Sequence, residues 1–230
     1  SPFFNLESWI ALGDETISEE DFLGEPCWMA TDAASKKDLA STVKVFRKVI
    51  KEKTHYFIFG RHYLSEGRIA SPDNPNKQYM AWDSEERIIS TDGNATDLQK
   101  IEDDILDDAS RFVVQCWAFD PMYLTQMSQR LAAQGMTVVE IRQVPTNHSN
   151  PMKEWQALIE DCRIHHDGDP VLTWAVGNTT ARIDANDNVY PRKERDEQKI
   201  DPVVAGIMAL GRALADDEAE LTYTAGDMFL

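Results

Sequence analysis

The strongest constraint on this chain is an apolar run that ends in a carboxylate. The run Cys27-Trp28-Met29-Ala30 follows a proline, and Thr31-Asp32 comes directly after it. An apolar run bounded in this way is typical of a buried strand. Burying an unpaired charge costs free energy, so Asp32 is expected to have a partner.

Two further aspartates occupy comparable positions. Asp120 closes the apolar run 112–119, and Asp201 opens the apolar segment 202–214. Three carboxylates at the ends of such elements can form a divalent-metal site. Asp120 and Asp201 are each followed by proline, so each alone is better explained as a helix N-cap. Asp32 has no such explanation, because the residues after it open no apolar periodic helix.

Composition limits the classes of function. With 42% hydrophobic residues, the 230 residues can bury a single core without disulfides. Cys27, Cys116 and Cys162 show no Cys-x-x-Cys spacing, which favours a reducing, cytoplasmic-type compartment. Neither a membrane span nor a signal peptide is expected. The net charge of −17 argues against a protein that coats nucleic acid with its whole surface.

The charges and the apolar runs predict an organisation. Basic residues concentrate at 36–53 and 192–199, and acidic residues at 102–108 and 216–220; the simplest interpretation of each run is a solvated face. The strand of Asp32 and the runs 42–45 and 55–59 predict three strands in an antiparallel meander. Helices and strands then alternate, with helices expected at 97–109, after Asp120, at 152–165 and after Asp201.

This order predicts an α/β fold, with a mixed sheet and helices on both faces. If the strand before Asp120 lies parallel beside the strand of Asp32, both carboxylates emerge at one sheet edge. Asp201, on a helix packed across that edge, would complete a triad.

Other motifs fail. The segment 184–188 begins like a calcium loop, but Val189 and Arg195 replace the required Gly and Glu, so a hairpin turn is expected. His165-His166 has no second ligand pair at zinc spacing and is interpreted as a helix end. No Gly-Lys dipeptide occurs, so no Walker loop is present and no ATPase activity is expected by that route.

Several segments resemble the large subunit of phage terminases. Asp32-Ala33-Ala34-Ser35-Lys36-Lys37-Asp38-Leu39 resembles the D-L-S-S-x-x-D-L segment of that family. The segment 199–213, KIDPVVAGIMALGRA, resembles the family's closing signature and is the more specific match. Leu6-Glu7-Ser8-Trp9 resembles the L-N-x-W before the nuclease half, and Asn178, Arg182 and Asp184 fall where the family's hairpin lies.

The resemblance implies a ribonuclease H-like nuclease domain at residues 26–230, with residues 1–25 connecting it to a missing N-terminal ATPase domain. The implied activity is metal-dependent endonucleolytic cleavage of double-stranded viral DNA during genome packaging. The implied partners are double-stranded DNA, the ATPase domain of the same protein, the terminase small subunit and the portal protein. The implied location is the host cytoplasm, and transiently the procapsid portal.

By the resemblance, Asp32, Asp120 and Asp201 are catalytic metal ligands, and Asp38 is a candidate fourth. Two Mg²⁺ or Mn²⁺ ions about 3.5–4 Å apart would activate water and stabilise the leaving oxygen. Contacts with the phosphates of the DNA backbone would come from Lys36, Lys37, Arg192, Lys193 and Arg195. Such contacts do not depend on the base sequence.

Two alternatives stay open. Another ribonuclease H-like enzyme, of the integrase, transposase or resolvase type, would use the same triad. A non-catalytic module that docks on a portal or motor would use the aspartates only as helix caps. Cleavage of plasmid DNA with Mn²⁺, abolished by EDTA, would exclude the docking module.

Overall fold

The computed structural model describes residues 1–33 and 38–227, with side chains described as far as residue 219. Its centre is a seven-stranded mixed sheet. The strands are β1 (Pro26–Ala33), β2 (Ala40–Ile50), β3 (Lys53–Ser65), β4 (Ile89–Thr91), β5 (Val113–Phe119), β6 (Val138–Glu140) and β7 (Ile164–His166). The order across the sheet is β4-β3-β2-β1-β5-β6, and β7 also pairs with β3.

The first three strands form the predicted antiparallel meander. β2 pairs with β1 on one side and along its whole length with β3 on the other. β2 and β3 are longer than the runs 42–45 and 55–59, because Lys51 and Glu52 form a tight turn with φ of 50° and 66°. Two consecutive residues at positive φ match the twist of a hairpin, so pairing continues up to the turn.

The central strand β1 has a parallel neighbour on its other side. β5 pairs parallel with β1, which meets the condition for placing Asp32 and Asp120 at one sheet edge, and β6 pairs parallel with β5. β4 and β7 lie along the outer edge of β3, both parallel to it. β1 and β5 therefore end at the same edge of the sheet, where the aspartates are expected.

Helices cover both faces, as predicted. The helices are α1 (Leu6–Ala11), α2 (Glu66–Ile69), α3 (Gln78–Ser84), α4 (Leu98–Arg111), α5 (Pro121–Ala133), α6 (Pro145–Glu160), α7 (Pro170–Asn178) and α8 (Asp201–Asp227). Trp28 and Ala30 of β1 point to the core beneath α6, α7 and α8, and Met29 points to the core beneath α4 and α5. Along the described residues, no helix has the length and apolar character needed to cross a membrane.

The hairpin predicted around 184–188 is confirmed, and it lies outside the main sheet. β8 (Thr180–Ile183) pairs antiparallel with β9 (Val189–Arg192). Asp184 Oδ1 accepts hydrogen bonds from the backbone N–H groups of Asn186 and Asn188, at 2.8 and 3.0 Å. This side-chain turn explains why the segment begins like a calcium loop.

The predictions for residues 152–166 are wrong in two respects. The helix begins at Pro145 and ends at Glu160, and His165 and His166 belong to β7 instead of a helix end. The chain leaves the helix at Cys162, which has a φ of 54°. Ile164 then pairs with Tyr56 of β3, so strand pairing determines the conformation of the two histidines.

The first 25 residues pack into the domain. Phe4 and Trp9 are buried in one core, and Phe22 is buried in the other. The N–H group of Phe3 donates to the carbonyl of Thr179 at 2.8 Å. These residues thus contribute to both cores, and their link to a preceding ATPase domain stays a prediction.

Two charged runs that were expected to be solvated faces contain buried charges. Lys44 is fully buried, with Nζ 2.9 Å from Asp108 Oδ1 and 2.7 Å from Glu19 Oε2. Asp108 is also fully buried and accepts hydrogen bonds from both terminal nitrogens of Arg61. The solvated-face interpretation is wrong at these positions, because β2 and α4 face each other across a core and bury charges that satisfy one another.

Replacing Asp108 by Asn should lower the free energy of unfolding by about 3 kcal/mol, because Lys44 and Arg61 would lose their shared buried carboxylate. The matched control is Asp107→Asn, an exposed position in the same helix, where a change within about 0.5 kcal/mol is expected. Urea unfolding of the two variants and the parent measures both. Equal stability of the two variants would show that the buried ion cluster contributes little.

Candidate active site

Asp32, Asp120 and Asp201 line one cleft of about 400 Å³. Thr31 of β1 pairs with Phe119 of β5, so Asp32 and Asp120 occupy the next position on neighbouring parallel strands. α8 packs across β1 and β2 and begins at Asp201. Three elements that are distant in sequence therefore bring the three predicted aspartates together.

Asp32 is buried among like charges. Asp32 is only 5% exposed, and Gln143 Nε2 donates a hydrogen bond to Asp32 Oδ1 at 2.9 Å. Burial raises the pKa of Asp32 well above its ordinary value, and the negative charges of Asp201 and Asp120 raise it further. The hydrogen bond from Gln143 opposes this rise but does not cancel it.

Asp201 is in a similar environment. Burial raises its pKa to about 6, and the charge of Asp38 adds to this effect. A hydrogen bond from its own backbone N–H group opposes the rise, as do the charges of Lys199 and Lys193. Two of the three carboxylates thus lie where a negative charge is unfavourable until a cation compensates it.

Asp120 does act as a helix cap. Its Oδ1 accepts a hydrogen bond from the N–H group of Met122 at 2.9 Å, and Pro121 is the first residue of α5. The cap explanation is therefore confirmed for Asp120, which nevertheless also lines the cleft. A carboxylate has two oxygens, so capping and a role in the cleft are compatible.

Asp38 lies beside the cleft and has a cationic partner. Its Oδ1 is 2.6 Å from Lys199 Nζ, and Lys199 is itself buried. The sequence predicts that the basic run 192–199 is a solvated face. This prediction is wrong for Lys199, because the lysine is buried and pairs with Asp38. Asp38 does not line the cleft, and its role as a fourth ligand stays a prediction.

The predicted phosphate-contacting residues separate into three groups. Arg192 is the last residue of β9, Lys193 follows it, and both line the cleft. Arg195 is exposed and does not line the cleft. Lys36 and Lys37 lie outside the described residues.

Sequence reasoning missed two polar residues of the cleft, Gln143 and Tyr190. The hydroxyl group of Tyr190 donates to the backbone carbonyl of Gln143 at 3.3 Å. Burial, and then the charges of Asp32 and Asp120, raise the pKa of Tyr190. No sequence pattern marks either residue, because Gln143 meets Asp32 across 111 positions of the chain.

The ligand types in the cleft fit a hard divalent cation. Within residues 1–33 and 38–219, no three Asp, Glu, His or Cys side chains are grouped closely enough to hold an ion as they stand. The cleft nevertheless collects three carboxylates, two of them with raised pKa values. Mg²⁺ and Mn²⁺ prefer oxygen ligands of this kind, and a bound cation would offset the repulsion.

Comparisons with known proteins show the family of this chain. The family described as "Terminase large subunit, endonuclease domain" matches residues 5–217. Protein YmfN of Escherichia coli (strain K12) is 36% identical over 222 residues, which cover 93% of this chain and 49% of that protein. The chain therefore spans about half the length of this relative.

Solved structures show the same fold. The large terminase of bacteriophage HK97 matches with a TM-score of 0.78 and 22% identity, over 92% of this chain and 43% of that one. The large terminase nuclease of thermophilic phage G20c, with bound magnesium, matches with a TM-score of 0.52 and 10% identity, over 86% and 97%. The predicted ribonuclease H-like fold is confirmed.

Without metal, Asp32→Asn should melt at a higher temperature than the parent at mildly alkaline pH, because the substitution removes a buried charge that Asp201 and Asp120 repel. It should also lose most of the rise in melting temperature that Mn²⁺ gives the parent. That rise is expected because a ligand at a hundredfold excess over its dissociation constant stabilises by about 2.7 kcal/mol.

Asp120→Asn is the matched variant, since Asn caps a helix as well as Asp does. Its metal-free melting temperature should rise less than that of Asp32→Asn, because Asp120 is only partly buried, while its response to Mn²⁺ should shrink. Thermal unfolding of all three proteins with EDTA and with Mn²⁺ measures this. If Mn²⁺ does not shift the parent, the aspartates do not form a metal site.

Proposed function

This chain belongs to the family of terminase large-subunit endonuclease domains, and we propose that it is a Mg²⁺- or Mn²⁺-dependent endonuclease that cleaves double-stranded viral DNA during genome packaging. The observation that carries the proposal is the cleft in which Asp32, Asp120 and Asp201 meet. These carboxylates come from three elements, and burial together with neighbouring negative charges raises the pKa of two of them, Asp32 and Asp201.

Asp32 is the central ligand in this proposal. Burial and the negative charges of Asp201 and Asp120 raise the pKa of Asp32, and Gln143 donates a hydrogen bond to one of its oxygens. Asp120 and Asp201 would complete the set of ligands for two ions, with Asp38 as a candidate fourth residue. When bound, such ions supply Lewis acidity that activates water and stabilises the leaving oxygen of a phosphodiester.

The basic residues at the cleft would position the DNA backbone. Arg192 and Lys193 provide positive charge beside the carboxylates, where a phosphate of the substrate has to lie. Arg195 would contribute from outside the cleft. Contacts with phosphate fix the position of DNA without reading its sequence.

The proposed partners rest on membership of the terminase large-subunit family. They are an ATPase domain of the same protein, a terminase small subunit and a portal protein. The chain spans about half of protein YmfN and 43% of the HK97 large terminase. The host cytoplasm and the procapsid portal are the proposed locations.

Asp32→Ala and Asp201→Ala should each abolish Mn²⁺-dependent nicking of plasmid DNA, because each removes a ligand and neither side chain fills the core. The control is Asp92→Ala, an exposed aspartate outside the cleft, which should cut like the parent. Gel electrophoresis with Mn²⁺, and with EDTA added, measures cleavage. A folded Asp32→Ala protein that nicks at the parent rate would remove Asp32 from the site, and a parent without any EDTA-sensitive nicking would contradict the proposed function.

Replacing Arg192 and Lys193 together by Ala should weaken binding to duplex DNA and reduce the slope of log affinity against log salt by about 2, since two phosphate contacts are lost. The matched control is the pair Lys51→Ala and Lys53→Ala, which removes two exposed charges at the β2–β3 turn. Fluorescence anisotropy over a salt series compares the variants. An unchanged slope would place Arg192 and Lys193 away from DNA.

A further inference from the structure

The cleft has an apolar rim beside its carboxylates. Met122 is 75% exposed and Tyr123 is 42% exposed, and both line the cleft. The apolar residues that follow in α5, Leu124 and Met127, are buried. Tyr123, which comes directly before them, is not buried with them. Two adjacent large side chains are thus left exposed at the mouth of the cleft, with neither buried in the core.

The backbone that carries these two side chains is held in place. Asp120 Oδ1 accepts the N–H group of Met122, and the hydroxyl group of Thr125 donates to the carbonyl of Pro121 at 2.6 Å. The first turn of α5 is therefore fixed relative to Asp120. A phosphodiester bound at Asp120 would therefore have its neighbouring nucleotides close to Met122 and Tyr123, which line the same cleft.

The other residues of the cleft indicate which kind of molecule contacts Met122 and Tyr123. Arg192 and Lys193 line the same cleft, so cationic and apolar groups border one set of carboxylates. A DNA duplex presents phosphates along its surface with the apolar C–H groups of the sugars beside them, and the apolar faces of its bases become accessible where a base step opens. This combination matches the cleft, whereas an apolar protein segment would leave the two basic residues without a partner.

We propose that Met122 and Tyr123 form an apolar wedge that contacts the sugar and base edges of duplex DNA beside the phosphodiester held at Asp120, and partly unstacks the base step there. The inference rests on the proposed function and adds a positioning role to it. Exposed apolar side chains of other proteins insert between base steps in this way and bend the duplex. Aromatic side chains stack on any base, so the wedge requires no base sequence.

The test uses the full 230-residue chain and a short duplex that contains 2-aminopurine, with Ca²⁺ in place of Mn²⁺ so that the DNA stays intact. Anisotropy reports affinity, and 2-aminopurine fluorescence reports unstacking. The double variant Met122→Ala and Tyr123→Ala should bind about tenfold more weakly, from the loss of one stacking contact. Its salt slope should stay that of the parent, because no charge is removed, and the fluorescence increase seen with the parent should disappear.

Two further variants separate stacking from general effects. Tyr123→Phe keeps the ring and should retain the fluorescence increase. Met80→Ala removes a methionine that is 62% exposed and does not line the cleft, and it should behave like the parent in both measurements. Melting temperatures of all variants should stay close to that of the parent, because the substituted side chains lie at the surface.

The outcomes distinguish the wedge from the proposed function. If the parent nicks plasmid DNA but the double variant binds and fluoresces like the parent, the wedge is excluded and the nuclease proposal stands. If the parent binds DNA without any fluorescence increase, unstacking is excluded. If the parent neither binds the duplex nor nicks plasmid DNA, both proposals fail together.

Discussion

The burial of Asp32 at the end of a central strand is the constraint on which the site depends. β1 is paired on both sides, with β2 and with β5, so Asp32 cannot move away from the sheet edge without breaking strand pairing. The side chain of Asp32 accepts a hydrogen bond from the neutral amide of Gln143 at 2.9 Å. The fold thus holds a carboxylate where its charge costs free energy, and it places two more carboxylates in the same cleft.

Other buried charges in this domain show that the arrangement at Asp32 is not general. Asp169 is 6% exposed, about as buried as Asp32, yet its pKa is lowered. Burial would raise that pKa, but His62 Nε2, 2.6 Å from Asp169 Oδ2, and two backbone N–H groups outweigh it. Lys44 and Asp108 are also buried, and their opposite charges lie 2.9 Å apart, so each compensates the charge of the other. Buried charges outside the cleft are therefore paired, and the repulsion between like charges inside it is what a cation would relieve.

α8 joins the core to the site. Its first residue is Asp201, and its apolar residues pack on β1 and β2. Gly206 allows close packing, because a Cβ at this position would lie 2.6 Å from the ring of Trp155. The contacts that bury α8 also fix the position of Asp201 in the cleft. Substitutions that loosen the packing of α8 should therefore change both the stability of the core and the geometry of the site.

The sequence by itself determined the strands of the meander, the hairpin and the aspartates at the ends of elements, because strand patterns and element ends are local properties of a chain. Only the tertiary structure decides that β5 lies parallel beside β1. The sequence did not determine which charges are buried: Lys44, Asp108 and Lys199 lie in runs that look solvated, and only their partners on other elements show otherwise. It also could not place Gln143 or Tyr190 in the cleft, or show that Tyr123 leaves the apolar face of α5. Those positions result from contacts between residues far apart in the chain, and only the tertiary structure decides which of them meet.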